Sequence, residues 1–154
     1  MMSEIIGFVG VGRMGANMAR RLAELGYQIG AVYDPLEDVA SSLAGELGCL
    51  AAKTLPEVTA ACGVIITVVT DDRAMAVIFS GDESLRVGAE GRVFVNCATV
   101  SPEAHESAAE AAKVVGADTL AASMASSITQ AREGTLYLMV GGEEAVFSVV
   151  GPAG

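Results

Sequence analysis

Short apolar runs of strand length alternate with amphipathic stretches along the whole chain, and this alternation limits the available folds more than any other feature. The runs are IIGFVG (5–10), QIGAVYD (28–34), GVIITVV (63–69), GRVFVNC (91–97), ADTLAA (117–122) and TLYLMVG (135–141), each carrying β-branched or other apolar residues in a strand-length block. Between them, helical spacing predicts helices near 13–25, 36–47, 55–62, 71–79 and 102–115, and CLAA (49–52) supplies one further short strand. In the first helix Met14, Met18, Leu22 and Leu25 form an apolar stripe, with Arg20, Arg21 and Glu24 off it. Strand–helix–strand alternation with short connections predicts an α/β fold, a doubly wound and mostly parallel sheet with right-handed crossovers. The 154 residues contain no repeat, linker or low-complexity tract, which fits a single domain. A content of 52% hydrophobic but only 5% aromatic residues agrees with strands covered on both faces by helices.

Sheets of this kind bind ligands beyond the carboxyl ends of their strands, where the strand order reverses. The first turn of the chain is such a place, and there Gly10, Gly12 and Gly15 stand at the spacing G-x-G-x-x-G. Eighteen glycines produce that spacing by chance, so its position matters more than its letters. Gly10 ends a strand and Gly15 lies one turn inside a helix, so the bare backbone at Gly12 can approach a pyrophosphate held on free helix N–H groups. Gly15 permits close helix–strand contact. The chain thus reads as a dinucleotide-binding Rossmann fold. Asp34, nineteen residues beyond Gly15 at the end of the second strand, completes the pattern. Its carboxylate can accept hydrogen bonds from the adenosine ribose and would repel a 2′-phosphate, and the following PLED has no Arg or Lys to offset that repulsion, so NAD is expected over NADP. Asp34 before Pro35 also fits a turn-starting role. A methyltransferase shares an acid after strand two but needs no pyrophosphate turn.

The formal charge of −10, with nine scattered Lys and Arg, argues against nucleic acid and anionic membrane surfaces as partners. No run approaches the ~20 apolar residues that span a bilayer. Cys49, Cys62 and Cys97 lack C-x-x-C spacing and read as buried free thiols of a cytoplasmic protein, with no metal site.

Four motifs in register, GFVGVGRMGANMARRL, VIITVVTDD, VFVNCATVSPE and REGTLYLMVGG, resemble the β-hydroxyacid dehydrogenase family over about residues 5–150. The resemblance implies that Arg13 and Met14 face the pyrophosphate, that Val69 and Thr70 stand where relatives place a Leu-Pro pair near the cofactor, and that Thr99 lies beside the nicotinamide. Ser101 before Pro102 reads as a helix N-cap. NCATVSP in place of a D-G-G-N-S-like segment favours the 3-hydroxyisobutyrate dehydrogenase-like branch over the 6-phosphogluconate dehydrogenase branch. The substrate would then be a small hydroxy acid or its semialdehyde.

Relatives carry a substrate loop resembling D-A-P-V-S-G-G, and the matching window here is AASMASS, residues 121–127. The usual serine falls on Ala125 and the paired glycines on Ser126 and Ser127. Hydroxyls can still donate to an anion, but their bulk narrows the pocket. The family's proton-donating lysine lies on a helix after the cofactor domain, beyond residue 154. Lys53 and Lys113 do not match its position, and His105 is placed in a surface stretch beside acids. The chain is therefore expected to be the N-terminal cofactor domain of a longer oxidoreductase, inactive alone, whose C-terminal helices pair it into a homo-oligomer. A stand-alone NAD-binding module without catalysis, and a related imine or ketone reductase, are the alternatives.

Overall fold

The computed structural model describes residues 5–24, 26–97, 100–124 and 138–142. In chain order these form β1 (Ile5–Val9), α1 (Arg13–Glu24), β2 (Gln28–Tyr33), α2 (Glu37–Leu47), β3 (Leu50–Ala51), α3 (Leu55–Ala61), β4 (Val64–Thr67), α4 (Asp72–Ile78), β5 (Val93–Asn96), α5 (Pro102–Val114), β6 (Asp118–Met124) and β7 (Leu138–Gly142). One sheet runs β3-β2-β1-β4-β5-β6-β7. All neighbours pair in parallel except β6 and β7, which are antiparallel. The chain moves outward from β1 to β3, then returns to β4 on the other side of β1. The strand order therefore reverses between β1 and β4.

Both faces of the central strands are buried, as the apolar runs require. Ile6 and Phe8 of β1, Val64 and Ile66 of β4 and Val95 of β5 share one core with Ala16, Met18, Ala19 and Leu22 of α1 and Ala40, Leu43 and Ala44 of α2. Val9, Ile65 and Phe94 share the opposite core with Leu55 and Val58 of α3, Met75 and Ile78 of α4, and Ala108 and Ala112 of α5. The period-two alternation of strand residues between the two cores is what makes the sheet doubly wound. At about 1.5–3 kcal/mol for each fully buried aliphatic or aromatic side chain, these two layers supply most of the drive to fold. Phe79 meets Phe94 edge to face, with ring centroids 5.2 Å apart. Across the first layer Arg20 of α1 binds Glu46 of α2 through two hydrogen bonds of 2.6 and 3.1 Å, an exposed pair that adds little stability.

Close approach of neighbouring side chains, from α3 and its cap at Gly7 and chiefly from β1 at Gly30, explains two glycines inside strands. A Cβ at Gly7 would lie 2.7 Å from Cys62 Sγ and 2.8 Å from Val58 Cγ1, and one at Gly30 would lie 2.5 Å from Ile5 Cγ2. Gly30 is also the residue skipped where the register between β1 and β2 shifts, a bulge between Ile6 and Gly7 on the β1 side.

The elements follow the sequence reading closely: five helices and seven strands fall within a few residues of the predicted spans. Met14 is half-buried against the first core, and Met18 and Leu22 are buried in it. Leu25, predicted in the same stripe, lies outside the described residues.

Candidate functional site

The carboxyl ends of β1, β2, β4, β5 and β6 share one edge of the sheet, and the glycine turn sits at its centre. Gly10 adopts φ +92°, a left-handed conformation that side chains disfavour. Its N–H donates to the Tyr33 carbonyl at 2.9 Å. A Cβ at Gly10 would collide with the Val68 carbonyl oxygen, and a Cβ at Gly15 with the Gly10 carbonyl oxygen. The end of β4, the turn and the first turn of α1 are thus packed backbone on backbone. At Gly12 the situation differs, because a Cβ there would meet nothing within 4 Å. Gly12 and Arg13 are exposed.

Gly12 also occupies the N-cap position of α1, where it has no side chain to satisfy the first N–H groups. The first turn of α1 contains no acid and begins with Arg13. The other helices each carry an acid there: Glu37 and Asp38 in α2, Glu57 in α3, Asp72 in α4 and Glu103 in α5. Acids offset the positive pole of a helix, and a basic residue reinforces it. With no acid of its own in that first turn, the N-terminus of α1 would stabilise a bound anion. The glycine vacancy beside it is open to a pyrophosphate.

Asp34 follows β2 and is half-buried. Its Oδ2 accepts from the Val11 N–H at 3.0 Å and its Oδ1 from the Leu36 N–H at 3.0 Å. The second bond is the turn-starting role read from Asp34-Pro35. The first ties the carboxylate to the glycine turn across 23 residues of sequence. A carboxylate offers about four acceptor sites, so two bonds leave capacity for ribose hydroxyls.

On the other side of the reversal, Val68 leaves β4 with its N–H donating to the Val9 carbonyl at 2.8 Å. Val69 is half-buried and Thr70 exposed. Beneath this turn Thr67 Oγ1 donates to Asn96 Oδ1 at 2.7 Å, a fully buried pair joining β4 and β5. Asp71 caps α4 by accepting from the Ala74 N–H at 2.8 Å. Ser101 caps α5, accepting from the Ala104 N–H at 3.1 Å as expected. Ser101 also donates its N–H to Asp72 Oδ1 at 2.9 Å and its hydroxyl to Asp72 Oδ2 at 2.6 Å, and these bonds hold the Asp72 carboxyl below its ordinary value of 3.8.

Thr99 and the window Ala125, Ser126 and Ser127 lie outside the described residues. Strand β6, which leads into that window, ends at Met124 on the same edge as the glycine turn. His105 is half-buried rather than on the open surface that its acidic neighbours implied, with Nδ1 out of solvent and its charge acting on Asp72. Lys53 and Lys113 are exposed. The thiols of Cys62 and Cys97 are buried, and desolvation pushes them up to about 11 and about 12, while half-buried Cys49 is raised less. Such thiols stay neutral and unreactive near pH 7. The bonds Val11–Asp34, Thr67–Asn96 and Asp72–Ser101 were not read from the sequence. Each joins residues 23 or 29 positions apart, a distance no local spacing encodes.

Among the described residues no helix is long and apolar enough to cross a membrane, and no group of three His, Cys, Asp or Glu could hold a metal ion.

Residues 5–153 match the family model described as the NAD binding domain of 6-phosphogluconate dehydrogenase. The chain is 34% identical over 149 residues to 2-hydroxy-3-oxopropionate reductase of Escherichia coli (strain K12), covering 96% of this chain and 50% of the relative. Its structure is similar to Mycobacterium tuberculosis 3-hydroxyisobutyrate dehydrogenase with L-serine, at TM-score 0.88 and 27% identity, covering 99% of this chain and 51% of the other. Psf3 in complex with NADP+ and 2-OPP matches at TM-score 0.86 and 25% identity, over 94% and 51%. The imine reductase BcSIRED of Bacillus cereus BAG3X2 matches at TM-score 0.81 and 26% identity, over 94% and 49%. The chain therefore spans about half the length of the relatives it matches. With the doubly wound sheet, the glycine turn and the acid after β2 in place, it belongs to the family of NAD-binding domains of the 6-phosphogluconate dehydrogenase type, and its relatives are 3-hydroxyisobutyrate dehydrogenase-like β-hydroxyacid dehydrogenases.

Proposed function

We propose that this chain holds a nicotinamide dinucleotide across the carboxyl edge of its sheet, NAD in preference to NADP, in an oxidoreductase that interconverts a small 3-hydroxy acid and its semialdehyde. The observation that carries the reading is the start of α1: a helix N-terminus with no side chain at its cap, no acid in its first turn, Arg13 at its first position and open space at Gly12. That arrangement favours a bound anion. Arg13 and Met14 then stand next to the pyrophosphate.

Asp34 carries the preference for NAD. It accepts from the adenosine ribose hydroxyls with the capacity its two backbone bonds leave free, and a 2′-phosphate would meet Asp34, Glu37 and Asp38 together. No Lys or Arg occurs from residue 34 to residue 52 to neutralise it. With adenosine over β2, the nicotinamide half extends across the reversal toward β4 and β5, where Val69, Thr70 and Thr99 flank the ring. The cofactor supplies hydride transfer, and the protein supplies orientation and shelter from water. Ala125, Ser126 and Ser127, outside the described residues, are assigned to the substrate by the family resemblance alone. The proton donor and the contacts that pair subunits are assigned to a further part of the protein, such as the lysine-bearing helical domain of relatives. Three free thiols suit a reducing cytoplasm.

An imine reductase is the second reading, favoured by the BcSIRED match and by the serine-rich window at 121–127. Calorimetry with NAD and NADP tests the cofactor assignment. We expect NAD to bind more tightly by at least about tenfold, and Asp34→Ser to remove that margin, since hydrogen bonds to a charged group contribute roughly 1.5–3 kcal/mol. Absence of heat with both coenzymes overturns the assignment. Assays of semialdehydes, hydroxy acids and cyclic imines with the full-length protein then separate the two reactions.

A further inference from the structure

The two bonds between Asp72 and Ser101 join the first residue of α4 to the N-cap residue of α5, and they come in addition to each helix's own side-chain cap. Helix α4 already has its cap in Asp71, which accepts from the Ala74 N–H. Helix α5 already has its cap in the Ser101 oxygen, which accepts from the Ala104 N–H. Yet Asp72, an exposed carboxylate free to face water, directs both oxygens at Ser101, 29 residues away. Two hydrogen bonds from one residue fix both the distance and the orientation of the partner, much as a bidentate pair does.

The bonds tie the turn that leaves β4 to the turn that enters α5. Both turns start at the carboxyl edge, and the strands beneath them are already joined by the buried Thr67–Asn96 bond of 2.7 Å. The β4–α4 turn, including Val68, Val69 and Thr70, is therefore held between an inner and an outer tie. Val68 in turn presses its carbonyl against Gly10 in the phosphate turn. The outer tie lies on the β4–β5 side of the reversal, away from Asp34 and the adenosine half.

We propose that Asp72 is a positioning residue for the nicotinamide half of the coenzyme, holding the β4–α4 turn against the start of α5 at Ser101 so that Val69 and Thr70 stand ready for the ring. The proposal rests on the coenzyme reading above. Prepaid ordering of two turns favours whatever binds between them and leaves a ligand bound elsewhere unaffected. Adenosine and pyrophosphate contacts, which belong to Asp34 and the glycine turn, should not register its loss.

The test compares the wild-type protein with Asp72→Ala and Asp72→Asn, using calorimetry with NADH and with ADP-ribose, the emission of bound NADH, and thermal melting. We expect Asp72→Ala to weaken NADH roughly threefold to tenfold while ADP-ribose changes by less than about twofold. Emission of bound NADH should shift toward that of the free coenzyme. Asp72→Asn keeps one amide oxygen to accept from Ser101 and should fall between the two. Equal losses for both ligands, or no loss for NADH in a folded variant, overturn the positioning role. Wild-type protein that binds neither ligand overturns the coenzyme reading itself, and this role with it.

Discussion

At Gly12 an added methyl group would project into open space, whereas at Gly10 and Gly15 it would drive into carbonyl oxygens of the neighbouring backbone. The three positions of one motif are therefore separable by experiment. Gly10→Ala, which also forces a side chain into φ +92°, is expected to cost roughly 3 kcal/mol or more, read as a lower urea midpoint. Gly12→Ala should cost about 1 kcal/mol or less, the difference between Gly and Ala at an N-cap. Its effect should appear instead in calorimetry, as NAD affinity reduced by more than about tenfold, because the methyl occupies the approach of the pyrophosphate. At Asp34 the turn-starting role read from the sequence is the one seen, in the bond from the Leu36 N–H, while the bond from Val11 ties the same carboxylate to the glycine turn.

Helix α5 has its N-cap and its tie to α4 in a single residue, Ser101. Ser101→Ala removes the cap, at about 1 kcal/mol of stability. It also removes one of the bonds that hold the Asp72 carboxyl below its ordinary value. A carboxylate lowered in the folded state adds stability above its unfolded value of 3.8 and loses it as the pH falls through the folded one. An NMR titration of the Asp72 carboxyl should thus show a midpoint below 3.8 in the wild type and a higher one in Ser101→Ala. The elements themselves were legible because hydrophobic spacing is local: the stripe of Met14, Met18 and Leu22 marks α1, and β-branched runs mark β1, β2 and β4. Ser-Pro before α5 was legible as a cap for the same reason. The second use of Ser101 was not, since it depends on Asp72 arriving from another unit. Nor was the reversed direction of β7, because a strand's pattern reads the same whichever way it runs. The strand glycine Gly30 gave no sign that the β1–β2 register skips it, since that shift belongs to the pairing of two strands and not to either run alone.

Across the whole molecule, the reversal between β1 and β4 divides the sheet into two sides, proposed above for adenosine and nicotinamide, stitched together where the Val68 carbonyl fills the space that Gly10 leaves. The site belongs to neither side alone. Its anionic guest must also enter a chain with a formal charge of −10, so long-range attraction cannot account for binding, and the favourable contacts must be short-range ones at the turn. Chief among these is the unfinished start of α1. With Gly12 offering no side-chain cap and Arg13 adding to its positive pole, this helix start is left to water, and under the proposed function the coenzyme would complete it. Occupancy and folding then become a single equilibrium. At a hundredfold excess over its dissociation constant, NAD should add about 2.7 kcal/mol of apparent stability, visible as a melting temperature that climbs with the logarithm of coenzyme concentration. Slowed amide exchange at Arg13 and Met14 would report the same closure.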